Sequence, residues 1–165
     1  MTDAPTPPRP LWRPSPERVA NAGITRYLRW LADTHGRRFS DYESLWQWSV
    51  DDQEGFWSSL WDFLCVRAHS AYTRVVGRSE MPGAQWFPGA TLNYAEHLLA
   101  HAKHPDAAAQ PALVFTSELV PRQEIGWAQL AADTGALTAT LARLGIEVGD
   151  RVVAYMPNIL LAVRF

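Results

Sequence analysis

The residues able to do chemistry gather at a few places. His97 and His101, four apart, would share one face of a helix with His104 close behind, and two imidazoles at that spacing can hold a divalent metal if further ligands join them. No Glu follows His97 to make a His-Glu-x-x-His arrangement, so partly exposed helical histidines are the better reading. Asp51, Asp52 and Glu54 could act as paired carboxylates in acid-base work. They sit where a helix should begin, and its macrodipole favours negative charge there. Cys65 is the single thiol. A reactive cysteine needs an electropositive, partly exposed setting and a base, which no motif supplies, so Cys65 is read as packing. Lys103, the sole lysine, lies beside His104 and Pro105. Spacing therefore nominates no catalytic, cofactor-binding or metal-ligating residue.

Seven of the eight tryptophans, Trp12, Trp30, Trp46, Trp48, Trp57, Trp61 and Trp86, fall in the first 90 residues, and only Trp127 lies beyond. Side chains this large mainly bury area, which points to an aromatic core or docking surface rather than a ligand-stacking site. At 165 residues and 47% hydrophobic, the chain can build a sizeable core. Net charge is -2 with basic residues scattered through both halves, so no stripe exists to exchange counterions with nucleic acid. No stretch reaches the roughly 20 apolar residues of a membrane span, and no secretory signal is readable at the start. One cysteine agrees with a reducing compartment, and the cytoplasm is the expected location.

These side chains need elements to position them. Six prolines within residues 1–16 predict an extended leader. Pro16 behind Ser15 starts a helix running to Gly36, with Ala20, Ile24, Tyr27, Leu28 and Leu31 at helical spacing. Ser40 with Glu43 fits a capping box, and Asp51 with Glu54 repeats it before a helix striped by Phe56, Leu60, Phe63 and Leu64. Residues 72–76 read as a short strand, and Met81 to Ala90 as a loop broken by Pro82, Gly83, Pro88 and Gly89. Thr91 should cap a helix that buries Leu92, Ala95, Leu98, Leu99 and Ala102.

From residue 111 the texture alternates. Residues 112–116 and 123–125 read as strands joined through Pro121. A helix follows over 128–144, with Leu130, Thr134, Leu137, Leu141 and Leu144 on one face and Gly145 ending it. Residues 147–150 form a turn, Arg151 to Met156 a strand buried on both faces, and Ile159 to Val163 the start of a helix. The fold class is α/β: a leader over 1–16, a helical Trp-rich region over 17–104, and the first strands and helix of a further domain over 111–165.

Gln85-Trp86-Phe87-Pro88-Gly89-Ala90-Thr91-Leu92-Asn93-Tyr94-Ala95-Glu96 resembles a signature near the start of acetoacetate-CoA ligases. Leu11 to Arg18 and Tyr42 to Val50, with Phe56-Trp57, look like the same family's N-terminal region. Leu144 to Asn158 is similar to a run shared across adenylate-forming enzymes. Acetyl- and propionyl-CoA synthetases share the Leu-Asn and the Gly-Asp-x-Val run but fit the Trp-Phe-Pro-Gly-Ala stretch less well.

The resemblance implies an ATP-dependent ligase that makes an acyl-adenylate and passes the acyl group to CoA, with ATP, Mg2+ and CoA as cofactors of the full-length enzyme and acetoacetate as its substrate. Such chemistry requires a Ser/Thr/Gly-rich phosphate cradle and cationic groups. No Gly-x-x-x-x-Gly-Lys-[Ser/Thr] loop or Thr-Ser-Gly-Thr-Thr-Gly-like stretch is present, and Lys103 does not resemble the family's catalytic lysine motif. After Pro157-Asn158 the run Ile159 to Phe165 departs from the family pattern. The expectation is an inactive N-terminal fragment whose partner is the remainder of the ligase. A non-catalytic module docking through its aromatic surface is the competing expectation, and it predicts cooperative melting where a fragment with an uncovered strand would aggregate.

Overall fold

Ser15 accepts a hydrogen bond from the Arg18 N–H at 3.2 Å and Pro16 occupies the first turn, so a helix begins where expected, as α1 (Pro16–Ala20). It stops five residues later. The Asn21 and Ala22 amides bond back to Glu17 and Val19, Ala22 is extended, and Thr25 donates its hydroxyl to the Val19 carbonyl at 2.6 Å. The single helix expected from Pro16 to Gly36 is therefore two, because local side-chain and turn bonds satisfy the carbonyls that would have carried it on. The second, α2 (Gly23–His35), ends at Gly36 with φ +64 and an Arg37 N–H bond to Leu31. The computed structural model describes residues 10–157, 159, 160 and 162.

The next two helices begin one residue later than the sequence pattern suggests. For α3 (Tyr42–Asp51) the cap is Asp41, paired with Ser44 in a capping box, and Ser40 instead donates its hydroxyl to the Asp41 carboxylate. For α4 (Gln53–Phe63) it is Asp52, whose carboxylate accepts the Gly55 N–H at 2.9 Å. In both, an aspartate adjacent to the expected cap takes the role, because its carboxylate reaches the third helical amide. Tyr27, Leu31, Leu45 and Trp48 form the core between α2, α3 and α4, with Leu28, Trp30, Phe39, Phe56, Leu60 and Phe63 packed against it. Leu31 is 1% exposed. Rings meet edge-on or tilted at centroid separations of 5.1 Å (Tyr27–Phe63) and 5.6 Å (Trp48–Phe56), the arrangement that aromatic quadrupoles favour.

Beyond α4 the chain turns at Cys65, at φ +50 and exposed, which corrects its expected role in packing: a residue in that left-handed turn projects away from the helix behind it. Residues 72–76 are not a strand. Thr73, Gly77 and Phe87 donate backbone bonds to Pro88, Gln85 and Val75, yet only the isolated bridge Val76–Trp86 forms. Pro88 has no N–H to return, and Phe87 (φ +47) and Gly89 (φ +94) turn the partner segment out of register.

The chain divides into two compact units between Thr91 and Leu92. In the second, Asn93 rather than Thr91 caps α5 (Tyr94–Leu99), accepting the Glu96 N–H at 3.0 Å. The expected buried face is mostly absent: Leu92, Ala95 and Leu98 are exposed, while Leu99 and Ala102 are half-buried. A six-residue helix presents barely two turns, and the 3-10 turns that follow, Ala100–Lys103 and Pro105–Ala109, rotate the pattern away.

Strands β1 (Pro111–Phe115) and β2 (Gln123–Gly126) pair antiparallel with Leu113 opposite Ile125. Helix α6 (Trp127–Arg143) follows, with Leu130 buried. Gly145, at φ +83, ends it as expected, and the Ile146 N–H bonds to Leu141. The 147–150 turn is closed by the Asp150 N–H on the Glu147 carbonyl. The expected strand at Arg151 to Met156 has no ladder partner among the described residues, and Val153 is 88% exposed; a run of strand-forming residues needs a neighbouring strand to become one. The expected helix start at Ile159 to Val163 and the leader lie partly outside the described residues. Among the described residues the fold is thus mostly helical with one two-stranded sheet.

Candidate functional site

Asp52 is the polar group at which α3, α4 and the loop after α2 meet. Besides capping α4, it accepts the Trp48 indole N–H at 2.9 Å, and the Arg37 guanidinium approaches to 3.8 Å while lying 4.6 Å from the Trp48 ring centroid. Two donated hydrogen bonds, from Trp48 and then from Gly55, hold the Asp52 carboxyl below the usual carboxylate range; desolvation opposes them and Arg37 adds to them. A Cβ on residue 55 would run into this carboxylate, so a larger residue there would make the Asp52 side chain shift. An acid held ionised in this way is a poor proton shuttle near neutral pH. The cluster ties α3 to α4 and to the loop after α2. Beside it lies a cavity of about 200 Å³ touching Leu31, His35 and Ser58.

Tyr27 projects its phenol into the same core, 2.6 Å from the Ser59 hydroxyl. Burial pushes its pKa up, and the bond to Ser59 partly offsets this. Between α2, α3 and α4 opens an apolar groove of about 410 Å³ bordered by Ile24, Tyr42, Leu45, Trp46, Phe56 and Leu60.

The Trp86 to Thr91 stretch folds back on α4. Phe87 packs on Trp61 at 4.5 Å and on Tyr72 at 5.1 Å, and Trp86 meets Trp57 at 5.5 Å. Gly89 passes so close to the Ala71 carbonyl that a Cβ there would lie 3.3 Å away. Ser70 donates its hydroxyl to the Gly89 carbonyl at 2.7 Å and accepts the Thr91 N–H at 2.9 Å. The segment that stood out in the sequence thus forms a hydrogen-bonded aromatic clasp.

The histidines and carboxylates singled out earlier take other roles. His101 stacks on His104 at 5.5 Å and meets the Trp127 ring at 4.6 Å, and His104 lies 3.6 Å from Asp106. Among the described residues, no three His, Cys, Asp or Glu side chains are grouped to hold a metal. Asp51 accepts from Gln47, Asp52 is the cap, and Glu54 lies in the first turn of α4. Lys103 ends a 3-10 turn. Sequence reasoning missed Arg37 and Asp41. The Asp41-x-x-Ser44 spacing was a usable signal for the second; nothing local announces that Arg37 will stack on Trp48.

Residues 42–98 match the family described as acetyl-coenzyme A synthetase N-terminus. An acetoacetyl-coenzyme A synthetase of Rhizobium meliloti is 35% identical over 91% of this chain and 22% of its own length, and one of Danio rerio 34% identical over 90% and 22%. The solved acetoacetyl-CoA synthetase from Streptomyces lividans superposes with a TM-score of 0.81 at 45% identity, covering 95% of this chain and 24% of that one. The chain is homologous to the N-terminal part of acetoacetyl-CoA synthetases. It spans about a quarter or less of the length of these relatives. The acetoacetyl-CoA synthetase likeness takes in both the aromatic clasp and the β1–β2–α6 region, because it extends over nearly the whole chain.

Proposed function

We propose that this chain supplies the N-terminal part of an ATP-dependent acetoacetate-CoA ligase and does not catalyse the reaction by itself. The likeness to the Streptomyces lividans synthetase, at 45% identity and a TM-score of 0.81, carries this reading. A carboxylate resists thiol attack because its charge repels nucleophiles and its oxygen leaves poorly. The complete ligase converts acetoacetate and ATP to an acyl-adenylate and pyrophosphate, then exchanges AMP for CoA. ATP, Mg2+ and CoA would be held by the remainder of that polypeptide, and the helical unit, knotted by Asp52 and the aromatic clasp, serves as its scaffold. The working compartment is the cytoplasm, where the lone Cys65 stays reduced.

The match to the acetyl-coenzyme A synthetase N-terminus and a malonamoyl-CoA synthetase of Penicillium aethiopicum, 30% identical over 90% of this chain, favour a second reading in which the acid is another short-chain carboxylate. A chimera tests both. Residues 1–157 replace the equivalent segment of the Streptomyces lividans enzyme, and acetate, propionate and acetoacetate are compared. Retained acetoacetate-dependent AMP release is expected. A folded chimera without activity on any of the acids contradicts the scaffold role, and a shift of preference to acetate supports the second reading.

A further inference from the structure

The segment between β1 and β2 shares its exposure with residues 146–157, which carry Arg151, but of the two it alone sets a proline before its arginine. Leu119 is 93% exposed and Val120 stands out beside it, so two large apolar side chains are held in water at a hairpin tip. Pro121 and Arg122 follow at once. Within residues 116–122 the hydrogen bond found is the Leu119 N–H on the Ser117 hydroxyl, and Arg122 makes an exposed ion pair with Glu124, a contact easily given up to a competing carboxylate. The other long loop, residues 66–91, also carries exposed arginines, Arg67, Arg74 and Arg78, but it is laced by backbone bonds from Thr73, Gly77, Gln85 and Phe87. Arg37 is held by Trp48 and Asp52, and Arg13 precedes a proline.

We propose that Leu119-Val120-Pro121-Arg122 is a processing site for a trypsin-like serine protease, one whose primary pocket carries a carboxylate for arginine and whose neighbouring subsites take proline and aliphatic side chains. Exposed, weakly bonded loop tips are where proteases enter folded chains. Pro121 pre-sets an extended backbone of the kind a protease cleft binds. The protease serine attacks the Arg122 carbonyl carbon; the C–N bond to Gln123 breaks and the Gln123 nitrogen takes the proton. Water then releases the Arg122 carboxylate, so the sum is addition of one water across one peptide bond. The cut separates β1 from β2 and α6.

Thrombin, a trypsin-like protease that accepts proline before arginine, serves as the probe on the intact 165-residue chain, with fragments identified by mass. The expected first product pair is residues 1–122 and 123–165. Arg122→Gln abolishes it, and Pro121→Asp slows it about tenfold or more, as loss of a subsite contact does. The urea-unfolded chain, diluted into the same assay, shows whether the four residues are read as sequence. Cleavage there with none in the folded chain would overturn the proposal, as would a first cut at Arg38, Arg67, Arg74, Arg78 or Arg151.

Discussion

The helical unit ending at Thr91 and the unit beginning at Leu92 hold their apolar side chains differently. In the first, four large residues from two helices, Tyr27 and Leu31 of α2 with Leu45 and Trp48 of α3, are buried together with six more packed around them. In the second, the buried apolar residues among those described are Ala107, Ile125 and Leu130, while Leu98, Val114, Leu144, Val152 and Val153 remain exposed. The first has aspartate caps, an indole–carboxylate bond and a glycine-terminated helix locking its geometry. The second has a two-stranded sheet, marginal by itself, and one long helix. Apolar residues at sheet and helix positions stabilise only if another layer covers them, so the second unit should rely more on added polypeptide.

The sharpest way to break this contrast is truncation in each core. Leu31→Ala should cost roughly 2–5 kcal/mol in urea unfolding, since that side chain is fully enclosed, and Leu130→Ala should fall at or below the low end of that range because its surroundings can collapse. Equal losses would show that the two cores are equally well formed.

A smaller effect isolates the polar knot. Asp52→Ala removes the α4 cap and leaves the Trp48 indole without its acceptor, at about 1–2 kcal/mol. Because the Asp41 and Asp52 carboxyls are both held below the usual range, the folded state binds fewer protons than the unfolded one in acid. Stability is therefore fully present above the ordinary carboxylate range and is lost as pH falls below about 4 through the folded values. Asp52→Asn should flatten that fall in thermal melts recorded from pH 6 to pH 3, and an unchanged slope would remove Asp52 from the account. Least of all should be felt from Val153→Asp, within about 0.5 kcal/mol, because the side chain already faces water. A large loss there would mean that residues 151–156 are covered in solution.

Much of this was legible in the residues. Gly36 and Gly145 end their helices where expected, both in the left-handed conformation; the expected α6 face holds from Leu130 to Leu141, though Leu144 is exposed, and the strands expected at 112–116 and 123–125 form at 111–115 and 123–126. What escaped depended on choices among neighbours: Asp41 over Ser40, Asp52 over Asp51 and Asn93 over Thr91, where each candidate cap differs from its rival by only tenths of a kcal/mol. The break after α1 rests on local bonds, the Asn21 and Ala22 amides and the Thr25 hydroxyl closing a turn on Glu17 and Val19. The strands expected at 72–76 and 151–156 had the right composition, but pairing is set by distant chain and cannot be read locally. The Trp86 to Gly89 run stood out in the sequence, yet its packing on Trp57, Trp61 and Tyr72 became visible only in three dimensions.

Calorimetric titration of Mg2+-ATP into the purified 165-residue chain tests the central claim most directly. A scaffold without its own phosphate cradle should give only heats of dilution. A saturable one-site isotherm, abolished by a competing acyl-adenylate analogue, would contradict the account.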